Sequence, residues 1–245
     1  MIVLSVLALS ACATTSEKQS EAKKQQLVTT LTALGAGYME RGQMDVAHHE
    51  LKHALSIDPD NSQANNVMAV LQARLGESKK ADAYFRKSIS AQPDNSDAQN
   101  NYGMFLCQQG RLNDAIEHFK SALANPLYST PGRANLNAGL CLMKMPEPER
   151  AEKYFRATLE SDPKQPVALY FMSKINFDQG RPLTARGYIQ RYFRVAKDSP
   201  MALLLAVQIE RALGARNAAA SYAFRLRSLF PSSPEAKQLR ALAGT

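Results

Sequence analysis

Small and bulky apolar residues recur along this chain with a period of about 34 positions. Six alanines, Ala47, Ala81, Ala115, Ala151, Ala185 and Ala219, stand 34, 34, 36, 34 and 34 residues apart. Four positions after the first five come Leu51, Phe85, Phe119, Phe155 and Ile189, and Ala223 holds that place after the sixth. A spacing of four puts the small and the large residue on one face of a helix, where the alanine lets a neighbouring helix approach. Gly42, Gly76, Gly110, Gly180 and Gly214 each lie five positions before one of these alanines, where a preceding helix can end. Pro59, Pro93, Pro163 and Pro231 lie twelve positions after one, and proline cannot continue a helix. In the fourth block Met145-Pro146-Glu147-Pro148 replaces the turn glycine. The pattern predicts an all-α chain of paired helices in six blocks, 28–61, 62–95, 96–131, 132–165, 166–199 and 200–233.

This period, with its small, aromatic and proline positions, resembles the tetratricopeptide repeat, a helix–turn–helix unit. The resemblance implies a right-handed superhelical solenoid whose first helices line a concave groove. Residues 234–245, PEAKQLRALAGT, are expected to form a capping helix, and a capped array suits a monomer. The groove residues expected are Asn66, Val70, Asn100, Met104, Leu136, Leu140, Tyr170, Lys174 and Phe177. An apolar floor carrying asparagine donors and acceptors suits an extended peptide or a partner helix.

The N-terminal residues read differently. Residues 1–11, MIVLSVLALSA, are apolar but too short to span a bilayer, and they read as a signal peptide. Leu9-Ser10-Ala11-Cys12 resembles the bacterial lipoprotein signal, which implies Cys12 as the lipidated first residue of the mature chain. No Lys or Arg precedes the apolar run, so the true start is expected upstream. Ala13 stands where an aspartate would imply inner-membrane retention, which makes the outer membrane the expected site. Residues 12–27 are charged and poor in bulky apolar side chains, and are expected to be a flexible tether. With Cys12 lipidated, Cys107 and Cys141 remain, on first helices of adjacent blocks. A disulfide between them is expected in an oxidising periplasm, two buried free thiols being the alternative.

Chemistry-bearing motifs are few. His49-Glu50-Leu51-Lys52-His53 fits the zinc-peptidase pattern H-E-x-x-H, but Leu51 and the nearby Ala47 are core positions and no third ligand follows. No phosphate-binding loop, dinucleotide-binding turn or nucleophile elbow occurs, so neither a cofactor nor metal nor catalysis is expected. From Lys174 onward there are 12 basic and 4 acidic residues, which accounts for the whole net charge of +8. Arg186, Arg191, Arg194, Arg225 and Arg227 recur on second helices there, and are expected to form a basic surface. It is either simply solvated or turned to anionic headgroups or an acidic partner. Nucleic acid is not an expected partner in the periplasm.

Two runs are more specific than the repeat. NNYGMFLC, residues 100–107, and ALANPLYSTPGRANLNAGLCL, residues 122–142, resemble the type IV pilus biogenesis and stability lipoproteins, the PilF/PilW pilotin family. The resemblance extends over essentially the whole mature chain. It implies a periplasm-facing outer-membrane lipoprotein that helps the pilus secretin reach the outer membrane and assemble. Asn100, Tyr102, Gly103, Asn135 and Asn137 match the family's motif. Tyr102 is expected in the core, Gly103 at a helix contact and Asn100 in the groove. A scaffold for other envelope-assembly proteins is the alternative, and a zinc peptidase through HELKH a more distant one.

Overall fold

A computed structural model describes the backbone of residues 5–145 and 147–241, and side chains within that set from residue 17 onward. Among the described residues there are thirteen α-helices and no strand. The chain divides into two compact units, residues 1–127 and 128–245. In the first, α1 (Ser5–Glu40) packs on α2 (Met44–Ile57), α3 (Ser62–Arg74) on α4 (Ser78–Ala91), and α5 (Ser96–Gln108) on α6 (Leu112–Ala124). In the second, α7 (Pro131–Leu142) packs on α8 (Pro148–Ser161), α9 (Pro166–Asp178) on α10 (Pro182–Val195), and α11 (Pro200–Ala212) on α12 (Arg216–Leu229); α13 (Pro234–Ala241) follows. These are the helix pairs of an all-α tetratricopeptide-type repeat protein.

The repeated residues set the helix ends. Asn61 and Asn95 side chains accept the backbone N–H groups of Ala64 and Ala98 at 2.9 and 3.0 Å, opening α3 and α5. Ser199 and Ser233 do the same for Ala202 and Ala236 at 3.3 and 3.1 Å, in step with the period. Each satisfies an N–H that the first helical turn leaves without a partner. Between the helices of a pair, Gly76 and Gly180 have φ of 79° and 72°, a region a Cβ would disfavour.

The two helices of a pair approach closely because small and large residues face each other. A Cβ on Gly103 would lie 2.8 Å from Phe119 Cε1, and one on Gly139 2.7 Å from Phe155 Cε1. Gly35 stands in the same relation to Leu51, at 2.6 Å from its Cγ. Ala69 holds this place in the second repeat, whose partner is Phe85. In the sixth the sizes are exchanged: Val207 and the small Ala223 share one buried cluster. Summed volume at this contact is thus held roughly constant while its owner changes, as close packing requires.

The core of the first unit includes Met39, Ala47, Leu51, Met68 and Leu71, and, beyond them, a ring group in which Phe85 stacks on Tyr102 at 5.2 Å. In the second unit Ile189, Ala202, Leu205 and Ile209 form one cluster, and Ala236 and Leu239 of α13 cover Leu203, Leu204 and Val207 in another. The span 12–27, expected as a flexible tether, is helical within α1. Its side chains from Glu17 to Leu27 are exposed, and burial begins at Val28. Lys, Glu, Gln and Ala are strong helix formers, so this stretch takes helical backbone without a core to rest on.

Candidate functional site

In the first unit, the outward stripe of α5 meets that of α3. Val70, Ala73 and Arg74 on α3 and Asn101, Met104 and Gln108 on α5 line a hollow of about 220 Å³ floored by Phe85 and Phe105. Val70 and Met104 were expected there, and Met104 is 38% exposed. Asn66 and Asn100 require a correction: they are 2% and 0% exposed and lie behind the hollow. Asn101 Nδ2 donates to Asn66 Oδ1 at 3.1 Å, and Asn100 Nδ2 donates to Asn101 Oδ1 at 3.4 Å. Asn66 and Asn100 are period mates, so the repeat had matched them correctly, but one residue along a helix rotates the side chain by about 100°. Asn101, Met104 and Gln108 follow at intervals of three and four, a stripe that could have been read from Met104.

Behind this face lies a polar cluster. Tyr102, buried as expected, donates its hydroxyl to Asp82 Oδ1 at 2.8 Å. Arg86 Nε reaches Asp82 Oδ2 at 2.7 Å, and Arg111 also contacts this carboxylate at 3.3 Å. Burial disfavours the Asp82 charge, but the hydrogen bonds from Tyr102 and Arg86 and the nearby guanidinium charges together hold its pKa below 3.8. Burial, then the bond to Asp82, raises that of Tyr102. The His118 ring lies 4.5 Å from the Tyr102 ring, with Nδ1 2.7 Å from Gln99 Oε1, and burial lowers its pKa below 6.5.

In the second unit Tyr170 and Lys174 of α9, Leu204 and Gln208 of α11, and Glu235 and Gln238 of α13 border a hollow of about 260 Å³. Lys174 donates to Asp178 at 2.9 Å, and burial raises the Tyr170 pKa. Phe177, assigned to the groove from sequence, instead packs partly buried against the cluster around Ala185 and Ile189, one helical turn from that hollow. Leu136 and Leu140 are half-buried on α7. Asn135 donates to the Pro131 carbonyl at 3.0 Å.

The arginines divide into two groups. Arg186 forms a two-pronged pair with the buried carboxylate of Glu210, its Nε at 3.0 Å. Arg225 pairs likewise with Asp198, Nε at 3.0 Å, and lies over the rings of Phe193 and Tyr222. These two were expected on a free basic surface; their charge is instead neutralised within the fold. Arg191 donates to the Pro163 carbonyl at 3.0 Å, whereas Arg194 and Arg227 are exposed.

His49 and His53 are exposed, and Leu51 between them is fully buried. Among the described residues no group of three or more His, Cys, Asp or Glu side chains is placed to hold a metal. The Cys12 side chain lies outside those described, as do residues 1–4 of the expected signal peptide and residues 242–245 of the expected cap. Cys107 and Cys141 are buried, and each is a half-cystine. No described helix is long and apolar enough to cross a membrane.

Models of the tetratricopeptide repeat match residues 62–95, 84–117 and 109–166. Over 244 residues, 98% of this chain and 97% of the relative, the sequence is 28% identical to the type IV pilus assembly protein PilF of Pseudomonas aeruginosa. The solved structure of that PilF is similar to this one with a TM-score of 0.84 and 30% identity, over 89% of this chain and 99% of the other. PilW, described as a widely conserved type IV pilus biogenesis factor, gives a TM-score of 0.76 and 34% identity, over 87% and 98% of the two chains. The chain belongs to the PilF/PilW family. Within this family frame, Gly103 and Tyr102 have structural places, at the Phe119 contact and on Asp82. Of the NNYGMFLC run, the half-buried Asn101, the exposed Met104 and the buried Phe105 line the hollow.

Proposed function

We propose that this protein is a non-catalytic outer-membrane lipoprotein that binds the type IV pilus secretin and promotes its localisation and multimer assembly, in support of pilus biogenesis and stability. The observation that carries this reading is similarity along nearly the full length of PilF and PilW, 99% and 98% of those chains, rather than over a generic repeat segment. The LSAC run supplies the anchor at Cys12. The hollow beside Met104 supplies a binding face: its aromatic floor suits an apolar partner side chain, and the Asn101 and Gln108 amides can bond that partner's main chain. No catalysis is needed. Confining the protein to one membrane and holding a secretin segment there raises the local concentration of subunits where rings form.

The test is deletion of the gene, complementation, and immunoblotting of unheated secretin. Without the protein, detergent-resistant multimers at the outer membrane should be depleted, and the wild-type gene should restore them. Cys12→Ser should restore them poorly, and in vitro Asn101→Lys with Met104→Glu should weaken binding to the secretin periplasmic region about tenfold or more. Normal multimers in the deletion strain would end the assembly reading.

A further inference from the structure

The second helices of the last two repeats, α10 and α12, contain no aspartate or glutamate, although α2, α4, α6 and α8 all do. The inward-turned arginines of this pair are already neutralised, Arg186 by Glu210 and Arg225 by Asp198. Those turned outward are not: Arg194, Arg216 and Arg227 are exposed and form no ion pair among the described residues. Between Glu210 and Glu235 the chain carries no carboxylate side chain at all.

Bulky apolar side chains stand among these cations. On α12, Ala219, Ala223 and Leu226 face the core, while Phe224 and Arg227, three residues apart, face out. Phe224 is 65% exposed and Leu229 56%. On α10, Ala185 and Ile189 are buried, while Leu183, 69% exposed, and Arg194 lie on the outer side. Stacking of Phe193 on Tyr222 at 5.3 Å links α10 to α12. The 34-residue period makes Ser228 the counterpart of Arg194, one residue along α12 from Arg227. Exposed arginines and an exposed phenylalanine therefore lie on the sides of α10 and α12 turned away from the core.

We propose that this face of α10 and α12 rests on the surface of an anionic phospholipid bilayer. The arginines would lie at headgroup phosphates while Phe224 enters the headgroup–acyl boundary. Charge complementarity selects an anionic occupant. The form of the face selects a bilayer over an acidic protein: the hollow of this unit is built by α9, α11 and α13, whereas this face is the opposite layer, helix backs bearing isolated apolar side chains. A bilayer needs only cations within reach of phosphates and an apolar side chain to insert. The inference is independent of the secretin reading and of the lipid on Cys12.

The test uses the full chain carrying Cys12→Ser, sedimented with vesicles of phosphatidylcholine alone or doped with phosphatidylglycerol. Binding to phosphatidylcholine alone is the baseline and includes any contribution of the apolar N-terminal residues. Phosphatidylglycerol should increase binding, and salt should abolish the increase. Arg194→Gln with Arg227→Gln should weaken the anionic-lipid increment about 25-fold, roughly fivefold for each charge, with the baseline and circular dichroism unchanged. Phe224→Ser should weaken it several-fold without altering its dependence on phosphatidylglycerol. The proposal fails if phosphatidylglycerol adds nothing, or if the double arginine variant binds like the parent. It fails equally if Phe224→Ser is silent while polyglutamate displaces the protein from vesicles, since the face would then read polyanions rather than a membrane.

Discussion

At the residue scale, the cluster around Asp82 makes stability sensitive to mild acid. His118 lies against Tyr102, bonded to Gln99 and facing Asp114, Glu117, Arg86 and Arg111, and burial favours its neutral form. An imidazole whose folded pKa lies below 6.5 takes up its proton sooner in the unfolded chain. The stability it contributes is therefore fully present above pH 6.5 and is lost as pH falls through the folded value. Asp82, held below 3.8, adds a second loss only in stronger acid. Urea midpoints should drop between about pH 7.5 and pH 5 in the parent. His118→Phe keeps a ring against Tyr102 and has no proton to gain, so its midpoint should be lower throughout but flatter over the same range. Equal slopes for the two proteins would remove His118 from the account.

At the scale of the helix pair, the exchange of large and small residues between facing positions sets how closely two helices pack. Gly103→Ala places a methyl 2.8 Å from Phe119 and 3.1 Å from the Ala115 carbonyl. It should destabilise by about 1–3 kcal/mol, read from urea unfolding. In a Phe119→Leu background the same change should cost less, because the ring it meets is gone, and a double-mutant cycle should return a clear coupling. Additive effects would falsify the compensation argument. This contact also shows what could be read from the sequence. Ala47 and its period mates, with the bulky residue four places on, sufficed to predict six helix pairs, because core spacing repeats whatever the surroundings. Rotation about a helix axis did not follow from the period: Asn100 was assigned to the face that Asn101 occupies. Nor did the neutralisation of Arg186 and Arg225, whose carboxylates stand 24 and 27 residues away. A charge count carries no partner information. The helical backbone of residues 12–27 was not legible for another reason, since their polarity excludes a core contact but not a helix.

At the scale of the whole molecule, charge and stability are both unevenly distributed. The net +8 falls entirely from Lys174 onward, so any long-range attraction to anionic surfaces originates in the last repeats and α13. Those repeats depend on a small cap: α13 buries Ala236 and Leu239 over Leu203, Leu204 and Val207. In an array whose repeats meet only their neighbours, damage at the end should remain near the end. Leu239→Ala should cost about 2–5 kcal/mol where it acts. Hydrogen exchange should then accelerate in α11, α12 and α13 and remain unchanged in α1 to α6. The same variant should lose anionic-vesicle binding only to the extent that α12 frays, so partial binding with intact exchange in the first unit is the expected pair of results. If protection fell equally in α3 and α11, the chain would unfold as one cooperative body, and the capping helix would support every repeat rather than the last two.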